Sequence, residues 1–94
     1  MALKKLITRS NGISVSYHKI EQLRIRKIEN SDKYALEGEI ASYVNEDYRR
    51  EYIYNSVEHD MFAFNVTAEA LANPFNTAYT LLKTTEKYAG AEDA

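Results

Sequence analysis

The residues able to do chemistry are few and scattered. The chain has two histidines, no cysteine and fourteen acidic side chains. Glu58-His59-Asp60 sets three metal-ligand types in a row. Consecutive residues seldom converge on one ion, though, and a closed site would need ligands from elsewhere. The tract reads as a solvated loop. His18, between Tyr17 and Lys19, reads as an ordinary strand or bend histidine. Glu37 and Glu39 could share acid–base work only if one were desolvated, and the arginines before them offer simpler partners. Gly12, Gly38 and Gly90 are too dispersed for a phosphate-cradling loop. These residues give no catalytic or metal site, no cofactor and no small-molecule substrate. The expectation is a protein that is not an enzyme.

Arg24, Arg26 and Lys27 could attract phosphate, yet acids on the neighbouring segment match them and no aromatic platform is interleaved. Arg49-Arg50 is hemmed by Glu46, Asp47 and Glu51. Nucleic acid is therefore not an expected partner. The tyrosines are less ordinary. There are eight, against three Phe and no Trp, and Tyr43, Tyr48, Tyr52 and Tyr54 fall within twelve residues. Two or three could complete the edge of a small core. Alternatively, the four form an exposed aromatic patch for protein contact, and they are the candidate interface.

The elements that must position these residues follow from periodicity. Tyr34 to Val44 alternates with a period of two: Tyr34, Leu36, Ile40 and Val44 point one way, and Glu37, Glu39 and Tyr43 the other. One long, half-buried antiparallel strand is predicted. Gln22 to Ile28 alternates too, and Asn30-Ser31-Asp32 is turn chemistry. A hairpin in which Leu23 faces Ile40 places Arg24 against Glu39 and Arg26 against Glu37. Such cross-strand charge pairs contribute roughly 0.2–1 kcal/mol each.

An earlier hairpin is predicted from Leu3–Arg9 and Ile13–Tyr17 around Asn11-Gly12, the favoured pair for a type I′ turn. Asn45–Tyr52 fits either a continued strand or a turn of helix, Tyr52–Tyr54 looks extended, and Asn55–Asp60 reads as a loop. Met61–Val66 is a short strand burying Phe62, Phe64 and Val66. A final helix starts at Asn73 as N-cap with Pro74 in its first turn. It runs to Gly90, with Phe75, Ala78, Tyr79, Leu81, Leu82, Thr85 and Tyr88 on one face and Lys83 and Lys87 near its negative end. Ala91 to Ala94 is expected to be a frayed or partner-bound tail.

Ninety-four residues make one domain, 1–94, of a size that buries only about 60–65% of its unfolded surface. Help from a partner subunit would suit such a chain. The absence of cysteine fits a reducing compartment. Met-Ala-Leu-Lys-Lys lacks the apolar run of a signal peptide, and no stretch approaches membrane-span length. A net charge of −2 gives no general attraction to nucleic acid or anionic lipid.

Three stretches together carry a likeness: Asn11 to Ile20, Ile40 to Tyr43 with the charged Asn45 to Glu51, and Asn76 to Thr84 through Ala91-Glu92-Asp93. This pattern resembles a family of small phage and prophage proteins of Gram-positive bacteria, encoded near tail, baseplate and lysis genes. The resemblance implies a phage origin and, by association, a tail or baseplate role. It places the protein in the bacterial host cytoplasm and in the virion, and it supplies no site residues. The expectation is an α+β domain. Its antiparallel sheet has about five strands, two hairpins plus a later strand, and one C-terminal helix packs on one face. It is expected to be a structural or accessory protein acting through a protein partner or homo-oligomer, with a phage-encoded inhibitor of a host protein as the alternative.

Overall fold

The computed structural model describes residues 1–9, 12–51 and 56–94, with the backbone alone at 48, 50 and 51. The chain runs β1 (Leu3–Thr8), β2 (Ser14–Lys27), β3 (Lys33–Tyr43), the short helix α1 (Glu46–Glu51) and β4 (Glu58–Thr67). A 3₁₀ turn (Ala68–Ala72), α2 (Pro74–Leu82) and β5 (Glu92–Asp93) follow. The strands form one antiparallel sheet in the order β4-β3-β2-β1-β5. The fold is α+β with five strands, as the periodicity predicts, but the five are differently composed. The second strand of the first hairpin and the first strand of the second are one continuous strand, β2. The fifth comes from the C-terminal end.

The centre follows the period of two. Leu36 and Ile40 on β3 are 0% and 1% exposed. They join Leu3, Ile20 and Val66 from the sheet and Ala78, Tyr79, Leu82 and Tyr88 from the C-terminal segment in one apolar cluster. Each large apolar side chain buried there is worth about 1.5–3 kcal/mol. Gly38 lies in the middle of β3 because nothing larger fits. A Cβ there would meet the Gln22 carbonyl oxygen at 2.2 Å and the Phe62 ring at 3.0 Å.

The register of the central hairpin departs from the expected one by two residues. Ile28 N–H donates to the Lys33 carbonyl at 3.2 Å, so the turn is tighter than the turn signals alone suggested, with Asn30 in the left-handed region (φ 59°). Leu23 consequently faces Gly38 rather than Ile40, Arg24 faces Glu37 rather than Glu39, and Arg26 faces Ala35. An even shift leaves every side chain on its predicted face, whereas an odd one would invert them all. Glu37 receives both arginines, with Nε–Oε1 distances of 3.2 Å for Arg24 and 3.4 Å for Arg26. Between Ile20 and Gln22 the β2–β3 ladder is irregular. There the Tyr79 hydroxyl accepts from Ile20 N–H (2.8 Å) and donates to the Met1 carbonyl (3.0 Å).

Other boundaries also differ. Arg9 N–H donates to Ile13 O (2.8 Å) and Gly12 N–H to Arg9 O (2.9 Å), with Gly12 at φ 87°. Residues 10 and 11, on which the expected type I′ turn depends, lie outside the described residues. Residues 58–60 belong to β4 instead of a loop. Val44 lies beyond β3 and is 39% exposed. The Asn73 side chain accepts from Asn76 N–H as predicted, but α2 stops at Leu82, well short of Gly90. The cause is local. The Thr84 and Thr85 hydroxyls each donate at 2.6 Å to the carbonyls of Leu81 and Leu82, and their own N–H groups bond those same carbonyls, taking the acceptors a longer helix would use. Phe75, expected on the buried face, is 46% exposed. The last residues are not frayed: β5 pairs with β1, and Ala94 N–H donates to Ala2 O at 2.9 Å.

Candidate functional site

At the end of the sheet where β1, β4 and the C-terminal segment meet, polar side chains gather that are far apart in sequence. His18 is fully buried on β2, and Ser42 is 1% exposed on β3. His18 Nε2 lies 2.9 Å from the Lys5 carbonyl, and Nδ1 lies 2.8 Å from Ser42 Oγ. A carbonyl can only accept, so Nε2 carries the proton and Nδ1 accepts from the serine hydroxyl. Burial is the main reason the ring's pKa is lowered, partly offset by the bond to Lys5. The ring of Tyr88 stands edge-on to His18 at 5.3 Å.

Tyr88 in turn donates to Asp60 Oδ2 at 3.2 Å, and Lys87 reaches both Glu58 and Asp60. Arg9 closes the cluster with Nε 2.8 Å from Glu58 Oε2. Burial alone would lower the Lys87 pKa, but its bonds to Asp60 and Glu58 prevail and carry it up to about 12. Burial acts to raise the Asp60 carboxyl, and the bonds from Lys87 and Tyr88 outweigh it and hold the group below its ordinary value.

A serine hydroxyl aimed at an imidazole is the arrangement of an activated nucleophile. Here both groups are sealed from solvent, and the second ring nitrogen is held by a main-chain carbonyl. The pair can tie β1, β2 and β3 together, and the acids beside it can anchor the C-terminal segment through Lys87 and Tyr88. His59, by contrast, is exposed on β4 and contacts the Glu39 carboxylate. The Glu58-His59-Asp60 tract thus splits, its acids facing Lys87 and its histidine facing Glu39. Among the described residues no group of three or more ligand-type side chains could hold a metal ion.

The predicted tyrosine surface is not assembled by Tyr43. That side chain is 1% exposed and turned into the second face of the sheet, 6.4 Å between centroids from Tyr17. α1 covers this face: Arg49 makes a forked contact with Glu21, the residue left over at the irregularity of β2, at 3.1 and 3.2 Å. Burial and then the Glu21 carboxylate raise the pKa of the Tyr43 phenol. Tyr48 lies on α1 with only its own backbone described, and Tyr52 and Tyr54 lie outside the described residues.

Two surface features escaped the sequence reading. A groove of about 350 Å³ runs beside β4, lined by Ile40, Phe62, Phe64, Leu82 and Tyr88 and ending at Asp60 and Lys87. β4 is itself the edge of the sheet. Its ten residues pair with β3 without a bulge, and from Met61 to Thr67 they carry no charge, proline or glycine. Met61 is 73% exposed. That uncharged window was visible in the sequence, but not that it forms an edge.

No protein-family model matches the chain, and neither a curated protein nor a solved structure matches it. Among the described residues no helix is long and apolar enough to cross a membrane.

Proposed function

We propose that the protein is a non-enzymatic structural or accessory component that works through protein–protein contact, in the tail or baseplate of a phage. The observation that carries the contact reading is the unguarded edge of β4. Edge strands expose a row of main-chain donors and acceptors, and natural sheets usually blunt them with lysine, proline or a bulge. From Met61 to Thr67 β4 has none of these devices, and such a stretch is suited to accept another strand, the main-chain bonds giving affinity and the flanking pockets specificity. The polar cluster supports the same reading, since its reactive groups are engaged with one another and hold the C-terminal segment. The phage setting rests on the likeness in residues 11–20, 40–51 and 76–93.

Mass spectrometry of virions from a bacterium carrying the gene tests the setting. The chain is expected in purified particles in a fixed ratio to tail proteins. Absence from particles, with a stable complex on a host protein in infected cells, would replace this reading with that of a free inhibitor.

A further inference from the structure

We infer that the occupant of the β4 edge is a second copy of the same chain, joined antiparallel about a two-fold axis through Phe64 and perpendicular to the sheet. The inference rests on the docking reading above and names its partner. Such an axis keeps like faces together, so residues of the same parity must oppose each other, and the strand has only a few possible centres. A centre on Phe62 sets Asp60 against Phe64 of the second copy, and a centre on Asp60 sets two acids face to face. A centre on Ala63 still places Asp60 against Val66. With Phe64 at the centre, Met61 opposes Thr67, Phe62 opposes Val66 and Ala63 opposes Asn65, and both Glu58 and Asp60 fall outside the ladder. It is the longest register in which no acid enters. The charges already committed to Lys87 and Arg9 stay where they are. On one face the paired Phe62, Phe64 and Val66 extend the apolar wall of the groove, while Ala63 and Asn65, both exposed, meet on the other.

That last pair gives the test. In Ala63→Lys/Asn65→Lys every lysine opposes a lysine of the second copy, and in Ala63→Lys/Asn65→Glu every lysine opposes a glutamate. Both positions are exposed, so the isolated fold tolerates either double substitution. Sedimentation equilibrium of the wild type is expected to show a dimer. The dilysine variant should have a dissociation constant raised about tenfold or more, and the lysine–glutamate variant should stay close to the wild type. Equal behaviour of the two variants overturns the register. A wild type that remains monomeric at high concentration overturns self-pairing altogether. Hydrogen exchange separates that failure from failure of the docking reading: if the amides of 61–67 that point away from β3 exchange fast in the monomer, the edge is open to another protein, and if those same amides are protected, it is closed.

Discussion

The two ends of the sheet are built to opposite rules. At one end β1, the C-terminal segment and α1 converge on β2 and β3, so that Leu3, His18, Ser42 and Tyr43 are all at or below 1% exposure. At the other, β2, β3 and β4 run on beyond β1, and Ile25 is 46% exposed on a core-facing position. The difference teaches which end of the sheet is packed on both sides and which is left open. It also separates the two free edges at the hairpin end. The outer edge of β2 there carries Arg24, Arg26 and Lys27, which repel a second strand. The matching stretch of β4 carries no charge at all.

The contrast between the ends can be broken most forcefully by truncation. Leu3→Ala removes a fully buried side chain at the closed end and is expected to cost about 2–5 kcal/mol in urea unfolding. Ile25→Ala at the open end should cost under about 1 kcal/mol, scaled down by its exposure. Comparable losses would show that the two ends contribute alike.

Acid sharpens the contrast by a smaller step. The folded state holds His18 neutral, with its pKa below that of the unfolded chain. Below a pH of about 6.5 the unfolded state therefore binds the extra proton first. Stability is full above that pH and declines as the pH falls through the window beneath it, whereas the Asp60 contribution is lost only in stronger acid, below the ordinary aspartate range. Glu58, Asp60 and Lys87 also act on the ring, the acids opposing the lysine. Unfolding free energies measured from pH 8 to pH 5 should fall, and His18→Gln should flatten that slope. An unchanged slope would mean that the ring is not the titrating group.

The smallest effect is expected at Arg24. Its side chain is 71% exposed, and a surface ion pair of this kind is worth about 0–1 kcal/mol. Because Arg26 also reaches Glu37, Arg24→Ala should cost less than about 0.5 kcal/mol and become undetectable in high salt. A larger loss would mean that the hairpin end holds more of the fold together than its exposure allows.

What could be read in the sequence was whatever depends on near neighbours. Leu36 and Ile40 announce their face by alternation, and Asn73-Pro74 announces a helix start. The central register was harder, because two turn lengths satisfy the same hydrophobic pattern and differ only in which arginine meets which acid. The helix end failed for a subtler reason: threonines lower helix propensity without saying where a helix stops, and only the bonds of Thr84 and Thr85 to the carbonyls of Leu81 and Leu82 show the end. The candidate site was nearly invisible. His18 acquires its role from Ser42, and Lys87 from Glu58 and Asp60, partners that only the completed sheet brings together. Tyr43 misled because aromatic density in the sequence does not say which face of a strand is roofed.

The pairing of β5 on β1 has a consequence for how the protein is made. Ribosomal synthesis releases residues 3–8 long before residues 92–93, yet these lie side by side in the finished sheet. The outer flank of β1 therefore stays bare until residues 92–93 have emerged, and Tyr88, which stands against the buried imidazole, also emerges late. The chain can assemble its central three strands early, but it can lock them only once the segment that carries β5 has followed.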